Sequence, residues 1–403
     1  MNYTPDEIMQ YVAEEDVKFI RLAFCDVFGK QKNISIMPTE LERAFSQGIS
    51  FDASAITGFG DPAESDLLLI PDPGQIAVYP WRPEHGRVVR MFSSIYQPSG
   101  NISPCDTRSL LMRTVAEAEK KGYHFTFGPE AEFYLFNCDE QGKPTPFPYD
   151  NAGYMDIAPD DKGENVRREI CLTLEQMGIR PETSHHEEGP GQNEIDFRYA
   201  DPLTAADNTV TFKTVVRTVA ARYGLFADFS PKPLEKFPGN GMHINIYASH
   251  DSGKDVMPGV MAGILRYIRD MTLFLNPTEN SYKRFGSDKA PRYISWSQEN
   301  RSQLIRIPAA YGEYRRAELR SPDPMCNPYI AFALIISAGI EGVEQGLELP
   351  LPIELNMFTA DESSLKGIEM LPKSLTSAIA AANQSEFIKK YLPEKIIADY
   401  CER

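Results

Sequence analysis

The stretch HFTFGPEAEFYLF, residues 124–136, alternates apolar and polar side chains with the period of a β-strand. This period puts Phe125 and Phe133 on one face, and it puts Glu130 and Glu132 on the other. Two carboxylates on the same face of an apolar strand repel each other unless a cation lies between them. The stretch therefore predicts either a strand with one solvated face or part of a cation site.

A second acidic stretch, HHEEGPGQNEIDF, residues 185–197, is predicted to form a β-hairpin around its Gly-Pro-Gly turn. Glu187 lies just before the turn and Glu194 just after it, so their carboxylates converge from the two arms. The two histidines that open the stretch suggest zinc, but the chain has no HExxH motif and no cysteine near them. A ligand set made mostly of carboxylates favours magnesium or manganese instead.

Two further stretches add a histidine and a cluster of arginines. In GNGMHINIY, residues 239–247, strand alternation puts His243 and Asn245 on one face, where a lone histidine is more often structural. In RRAELRSPDP, residues 315–324, it groups Glu318 with two arginines. That group suits a ladder of ion pairs, or, with a metal on the carboxylate, two arginines free to bind anions. Because carboxylates hold hard cations, and cations with arginines hold phosphate, the four stretches together point to chemistry on ATP.

Composition excludes several classes of protein. The chain has 403 residues, of which 42% are hydrophobic and 24% charged, and this balance is typical of a globular protein. A net charge of -16 argues against nucleic acid or an anionic membrane as the main partner. The six cysteines are dispersed without a CxxC pair, which argues against a zinc knuckle or a disulfide framework. Without an apolar leader or a membrane-length apolar run, we expect a cytoplasmic protein with no membrane partner.

A break rich in Gly, Pro and Ser predicts two domains, residues 1–100 and residues 101–403. In the first domain, residues 17–37 are predicted to form a hairpin, and residues 51–73 are predicted to be largely loop. After the break, residues 103–122 are predicted to form a helix. Strands and helices then mix without regular βαβ alternation, so the predicted fold class is α+β.

The order and wording of these stretches resemble the glutamine synthetases of type I. The resemblance runs over nearly the whole chain, through FDASAITGF, SDLLLIPDP, YPW, FGPEAEFYLF, HHEEGPGQNEIDF, PKP, GNGMH, NPTENSYKRF, NRSQLIRIP, RRAELRSPDP and NPYIAFAL. It implies an N-terminal β-grasp domain and a larger catalytic domain with a mainly antiparallel curved sheet flanked by helices. It also implies a homo-oligomeric ring with active sites between subunits, and leaves hexamer and dodecamer open.

The resemblance also implies roles for individual residues. It implies two or more Mg²⁺ or Mn²⁺ ions per subunit, one held by Glu132, Glu187 and Glu194 and the other by Glu130, His243 and Glu318. For the glutamate substrate it implies Gly239, Arg284 and Arg320. For ATP, the co-substrate, it implies Glu182, Tyr199, Asn245, Tyr247, Arg306 and Arg316. For the reaction itself it implies Arg301 at the transferring phosphoryl group and Asp52, lent by a neighbouring subunit to the ammonium site.

The implied reaction forms glutamine: ATP phosphorylates the side-chain carboxylate of glutamate, and ammonia then attacks the mixed anhydride. One departure concerns the amine. Lys289 stands where the family's active-site flap carries a glutamate, and Asp288 lies beside it. Because a lysine there repels ammonium, either Asp288 replaces the missing base or the acceptor is another amine. A third alternative, a catalytically weak protein with a regulatory or structural role, is disfavoured by the complete set of metal ligands.

Overall fold

The first part of the chain forms a five-stranded sheet with two helices. The computed structural model describes residues 3–60, 63, 65–82, 85–309, 312 and 315–402. The elements of this part are α1 (Pro5–Glu14), β1 (Val17–Cys25), β2 (Gln31–Ile36), α2 (Leu41–Ser46), β3 (Ile49–Asp52), β4 (Asp66–Val78) and β5 (Arg87–Tyr96). The strand order is β2-β1-β5-β4-β3, in which only the β1–β5 pair is parallel. The helix α1 buries Ile8 and Val12 in the same core as Ile20 and Leu22 of β1.

The rest of the chain carries two further five-stranded sheets and most of the helices. Its strands are β6 (Tyr123–Ala131), β7 (Phe133–Cys138), β8 (Pro144–Pro148), β9 (Pro181–His186), β10 (Gln192–Phe197), β11 (Leu225–Asp228), β12 (Met242–His250), β13 (Trp296–Gln298), β14 (Ile305–Ile307) and β15 (Ala317–Leu319). Its helices are α3 (Thr107–Lys120), α4 (Glu164–Gln176), α5 (Pro202–Arg222), α6 (Met257–Leu275), α7 (Pro328–Glu344), α8 (Glu362–Leu365), α9 (Leu375–Gln384), α10 (Glu386–Tyr391) and α11 (Glu394–Cys401).

The two sheets of this second part are mainly antiparallel. One has the order β13-β14-β15-β12-β6, with only β13 and β14 parallel, and the other runs β11-β7-β10-β9, with β8 paired to β7. Apolar side chains of α5, α6 and α7 share one core with both sheets. The predicted α+β class is confirmed. Within the described ranges, no helix combines the length and the apolarity that crossing a bilayer requires.

The stretch 124–136 forms two strands in two different sheets, and not one continuous strand. The chain leaves β6 and enters β7 at Glu132, whose backbone N–H donates to the carbonyl of Gly241 at 3.0 Å. The predicted apolar face survives this change of sheet, since Phe127 and Phe133 are fully buried in the shared core. The crossing brings the acidic face of the stretch to the junction of the sheets.

Other local predictions divide into confirmed and wrong. The hairpin at 17–37 is confirmed by the antiparallel pairing of β1 with β2. The helix predicted within 103–122 is confirmed as α3, which begins at Thr107 and ends at Lys120. The prediction that 51–73 is largely loop is wrong, because β4 begins within it. Its prolines are tolerated because the pairing of β4 with β5 shifts register between Pro71 and Ile76, where ladder hydrogen bonds are already interrupted.

The helices α6 and α7 cross at a contact made by glycines. A Cβ atom on Gly342 of α7 would lie 2.1 Å from the carbonyl oxygen of Gly259 in α6. A Cβ atom on Gly263 of α6 would lie 2.0 Å from the carbonyl oxygen of Ala338. Backbone cannot yield as a side-chain tip can, so this crossing accepts only glycine. At Gly339 the nearest atom to such a Cβ is a side-chain methyl of Val260, at 3.0 Å.

We expect Gly342→Ala to lower the free energy of unfolding by about 1–3 kcal/mol, because the added methyl forces the two helices apart. Gly339→Ala is the matched control, since it lies on the same helix and gains the same helix propensity. Chemical denaturation of both variants measures the difference. Equal midpoints for the two variants would contradict a close approach of α6 and α7 at Gly342.

Candidate functional site

A cavity of about 370 Å³ is lined by side chains from both sheets of the second part of the chain. It contains every residue predicted as a metal ligand, together with all five predicted arginines. The predicted residues that line it are Glu130, Glu132, Glu187, Glu194, Gly239, His243, Arg284, Asp288, Arg301, Arg306, Arg316, Glu318 and Arg320. Residues that are up to 190 positions apart in sequence, from Glu130 to Arg320, therefore meet in one place.

Three of these side chains come from adjacent strands of one sheet. His243 on β12 lies directly opposite Glu130 on β6, and Asn245 lies opposite Glu318 on β15. The imidazole Nδ1 of His243 is 3.9 Å from Oε2 of Glu130 and 3.6 Å from Oε1 of Glu318. The predicted alternation of β12 is confirmed. Met242 and Ile244, on the face opposite to His243, are fully buried in the core.

The predicted hairpin at 185–197 is confirmed as β9 and β10. Its register puts Glu194 opposite His185, whose Nε2 lies 3.5 Å from Oε2 of Glu194. The Nδ1 atom of the same imidazole lies 3.7 Å from Oε1 of Glu187. His185 was not among the predicted site residues, although the register of the hairpin is the signal that would have found it.

Two groups of side chains in this cavity could each hold a metal ion. Ligand atoms of Glu130, Glu194 and His243 lie within 4.8 Å of one another, and so do ligand atoms of His185, Glu187 and Glu194. Glu194 belongs to both groups, so its carboxylate is positioned between them. The resemblance implied a different grouping, with Glu132 in one set and Glu318 in the other, and that grouping stays a prediction.

Glu132 and Glu318 are held by protein partners in this structure. Oε2 of Glu132 accepts hydrogen bonds from the backbone N–H of Gly241 at 2.8 Å and from Nε2 of Gln192 at 3.2 Å. Glu318 forms ion pairs with Arg320 and with Arg306, the latter at 2.6 Å. These contacts fix the orientation of both carboxylates at the cavity wall.

Electrostatics divides the carboxylates into two kinds. Burial, followed by the negative charge of Asp196, raises the pKa of Glu130 to about 8. Burial, followed by the charge of Glu187, raises the pKa of Glu132 to about 8. Burial and Asp196 also raise the pKa of Glu194 well above its usual range. Although burial opposes its ionisation, the neighbouring arginines lower the pKa of Glu318 to about 2.

The donor set fits divalent cations. Carboxylates with raised pKa values are groups that lack a compensating positive charge, and a bound cation supplies one. Oδ1 of Asp196, a further cavity carboxylate, is buried and has no hydrogen-bond partner among the described residues. Burial and the charge of Arg320 lower the pKa of His243, which keeps the imidazole neutral and able to bind a metal.

Several arginines of the cavity retain a donor without a protein partner. The Nε atoms of Arg284, Arg306 and Arg320 are buried and have no hydrogen-bond partner among the described residues. Arg301 is exposed where it lines the cavity. Arg316 donates from Nε to Oδ1 of Asn245 at 2.8 Å. Guanidinium groups around a carboxylate cluster are suited to binding a phosphate or carboxylate ligand next to metal ions.

Several predicted residues do not line this cavity. Asp52 is exposed, and its Oδ1 accepts from the backbone N–H and the hydroxyl of Ser54. Glu182 pairs with Arg198 at 3.4 Å. The remaining three lie on the Arg316 side: Asn245 contacts Arg316 directly, the ring of Tyr199 lies 5.5 Å from its guanidinium carbon, and Tyr247 lines a neighbouring cavity with it.

Asp288 and Lys289, the two residues at the position of the family's flap, line the cavity and are both held by ion pairs. Asp288 and Lys289 adopt consecutive left-handed conformations, with φ of 48° and 63°. Oδ2 of Asp288 lies 2.9 Å from Nζ of Lys232, and Nζ of Lys289 pairs with Glu188. The predicted role of Asp288 as a base stays a prediction. Neither Lys232, the partner of Asp288, nor Glu188, the partner of Lys289, was among the predicted site residues.

A third cluster, made of Asp150, Asp161 and His186, lies behind the hairpin. Nε2 of His186 lies 2.9 Å from Oδ1 of Asp150, and Asp161 pairs with Arg167 at 2.5 Å. Because its charges already have protein partners, this cluster is a network of ion pairs at the end of β9. We therefore assign no metal ion to it.

Comparison with known proteins relates this geometry to a family. The sequence profile of the glutamine synthetase β-grasp domain matches residues 16–98, and that of the glutamine synthetase catalytic domain matches residues 104–403. The predicted N-terminal β-grasp domain is thereby confirmed.

Individual relatives agree with the profiles. A glutamine synthetase of Clostridium saccharobutylicum is 43% identical over 99% of this chain and 93% of its own length. A glutamine synthetase of Methanosarcina mazei is 43% identical over 98% of this chain and 92% of its own length. A solved GmaS/ADP complex matches with a TM-score of 0.88 at 28% identity, over 100% of this chain and 94% of that one. The chain belongs to the glutamine synthetase family.

Proposed function

We propose that this protein is an ATP-dependent ligase that forms glutamine from glutamate and ammonia through γ-glutamyl phosphate. The observation that carries the proposal is the meeting of six candidate metal ligands and five arginines in one cavity. Relatives named glutamine synthetase over nearly the full chain length support the same reaction. A solved relative recorded as a complex with ADP supports a nucleotide as co-substrate.

We propose that two Mg²⁺ or Mn²⁺ ions bind at the carboxylate cluster. The residues that would hold them are Glu130, Glu132, Glu187, Glu194, His243 and Glu318, with His185 added by its position beside Glu187 and Glu194. When bound, such cations neutralise charge on the triphosphate. The protein supplies a rigid wall for them, because these ligands lie on paired strands or are fixed by backbone hydrogen bonds.

The arginines are proposed to bind the anionic groups of both substrates. Arg284 and Arg320, both buried beside Glu132 and Glu318, would bind the carboxylates of glutamate with help from the backbone at Gly239. Arg301 would stabilise the transferring phosphoryl group. Arg306 and Arg316 would bind ATP, together with Glu182, Tyr199, Asn245 and Tyr247.

The second step needs a proton acceptor. Ammonium must lose a proton before its nitrogen attacks the acyl phosphate, and the phosphate then leaves as the amide bond forms. Asp288 is the proposed acceptor on the flap, and Asp52 of a neighbouring subunit is the second. Asp52 lies on the surface of this chain, which supports a ring in which neighbours share active sites.

The proposed domains, 1–100 and 101–403, are supported by profile matches that end at 98 and resume at 104.

A second candidate function is a γ-glutamyl ligase that uses another amine. The observation that favours it is the cation at Lys289, which lines the cavity on the flap. A steady-state assay with ATP, Mg²⁺ and glutamate against a panel of amines separates the candidates. Ammonia as the best acceptor supports glutamine formation, another amine as the best acceptor supports the second candidate, and no turnover with any amine contradicts both.

We expect Glu194→Gln to lower kcat/KM by about 10² to 10³-fold, because the carboxylate shared by both candidate metal groups loses its charge. The matched control is Glu140→Gln, which removes an exposed carboxylate in the turn before β8 and is expected to stay within about twofold. Equal activities of the two variants would contradict a metal role for Glu194.

We expect metal affinity to rise with pH, by at least about tenfold between pH 6 and pH 8.5, because protons compete with the cation. The pKa values of Glu130 and Glu132 are raised from 4.5 to about 8, so the folded metal-free protein holds extra protons below pH 8. Its stability therefore falls as the pH rises through this window, and Mn²⁺ restores it.

Thermal denaturation with and without Mn²⁺ at the two pH values measures this effect. The gain in midpoint should be larger at pH 8.5 than at pH 6, and it should shrink in the Glu194→Gln variant. A gain that is the same at both pH values would contradict binding at carboxylates that must first lose a proton.

A further inference from the structure

Lys289 forms an ion pair inside the cavity with a residue next to a proposed metal ligand. Its Nζ atom pairs with the carboxylate of Glu188, which directly follows Glu187 in the chain. The same Nζ atom lies 5.5 Å from the ring centroid of Tyr154. All three side chains line the cavity. A carboxylate beside an aromatic face is a binding site for a positively charged amine, and here the chain's own lysine occupies it.

The neighbouring residue, Asp288, has the opposite charge and pairs with a buried lysine. Asp288 pairs with Lys232, whose side chain is only 6% exposed and whose Nζ also donates to the carbonyl of Phe237 at 2.7 Å. The two consecutive residues therefore have different partners, Lys232 for Asp288 and Glu188 for Lys289. The buried partner therefore anchors the flap, and the anchor does not depend on Lys289.

The Lys289–Glu188 pair differs from that anchor in its exposure. The side chain of Lys289 is 47% exposed and that of Glu188 is 35% exposed. Water screens such a pair, and exposed ion pairs are weak. A small cation from solution can therefore displace the ammonium group of Lys289 from the carboxylate without breaking the anchor at Lys232.

We propose that Glu188 binds the acceptor amine in its ammonium form and that Lys289 competes with the amine for this carboxylate. The inference rests on the proposed function and adds the binding step for the second substrate. At neutral pH a primary amine carries a positive charge, so it needs the kind of site that Lys289 fills. Lys289 then determines how much amine is needed, and it favours compact primary ammonium ions that fit beside the Tyr154 ring.

The competition predicts opposite effects for the two partners. In Lys289→Met the carboxylate is free, so KM for ammonium or methylammonium should fall by about three- to tenfold. Lys289→Arg keeps the charge and should keep the wild-type KM. In Glu188→Gln the KM for the amine should rise. Adding Lys289→Met to this variant should not lower that KM, because the carboxylate that Lys289 would release is absent. KM for ATP and KM for glutamate should stay within about twofold in all of these variants.

Lys283→Met is the matched control, because it removes an exposed lysine just before the flap that does not line the cavity. It should leave KM for the amine unchanged. A purely structural role of the pair predicts that Lys289→Met changes kcat and the KM values of all three substrates together. That result, or an amine KM that does not move, would overturn the proposal.

A second measurement tests the pair without turnover. Hydrogen–deuterium exchange of residues 286–290 should increase when ammonium chloride replaces sodium chloride at equal ionic strength, because the cation releases Lys289. The increase should be absent in Lys289→Met. If the wild type turns over no amine but shows this increase, the proposed function fails while the cation site stands; if exchange does not respond to ammonium, the cation site fails.

Discussion

Three carboxylates, Glu130, Glu132 and Glu194, are buried and crowded together with other carboxylates in one cavity wall, and the cost of holding their charge there is the constraint on which the site depends. Water cannot screen buried charges, so the carboxylates either keep protons or take a cation. The raised pKa values mean that the carboxylates hold protons when no cation is bound, and the proposed metal ions would replace those protons. The arginine-paired Glu318 stays ionised beside them, so the cluster keeps negative charge even when its neighbours are protonated.

The fold creates this crowding by joining two sheets at one point. The chain passes from β6 to β7 at Glu132, and the backbone of Gly241 just before β12 binds both its N–H and its carboxylate. The hairpin of β9 and β10 then delivers Glu194 from the second sheet. The helices α6 and α7, which share a core with the sheet that contains β12, approach each other closely at their glycines. The strand that carries His243 is therefore supported by tightly packed helices. Stability and function therefore share the same elements.

Much of the site could be predicted from local patterns, because strand period alone places Glu130, His243 and Glu194 on polar faces. The ion pair between Lys289 and Glu188 could not, since its partners are 101 positions apart and belong to no shared element. The strand β4 was missed because its prolines look like a loop until the register shift beside them is known. Asp52 could be named only by resemblance, and within one chain it lies outside the cavity.

The most direct measurement is anomalous diffraction from crystals grown with Mn²⁺ and ADP. We expect two manganese peaks per chain inside the cavity, one on each side of the Glu194 carboxylate and each within bonding distance of a histidine or carboxylate named above. A cavity without peaks, or manganese found only at the Asp150–His186 cluster, would contradict it.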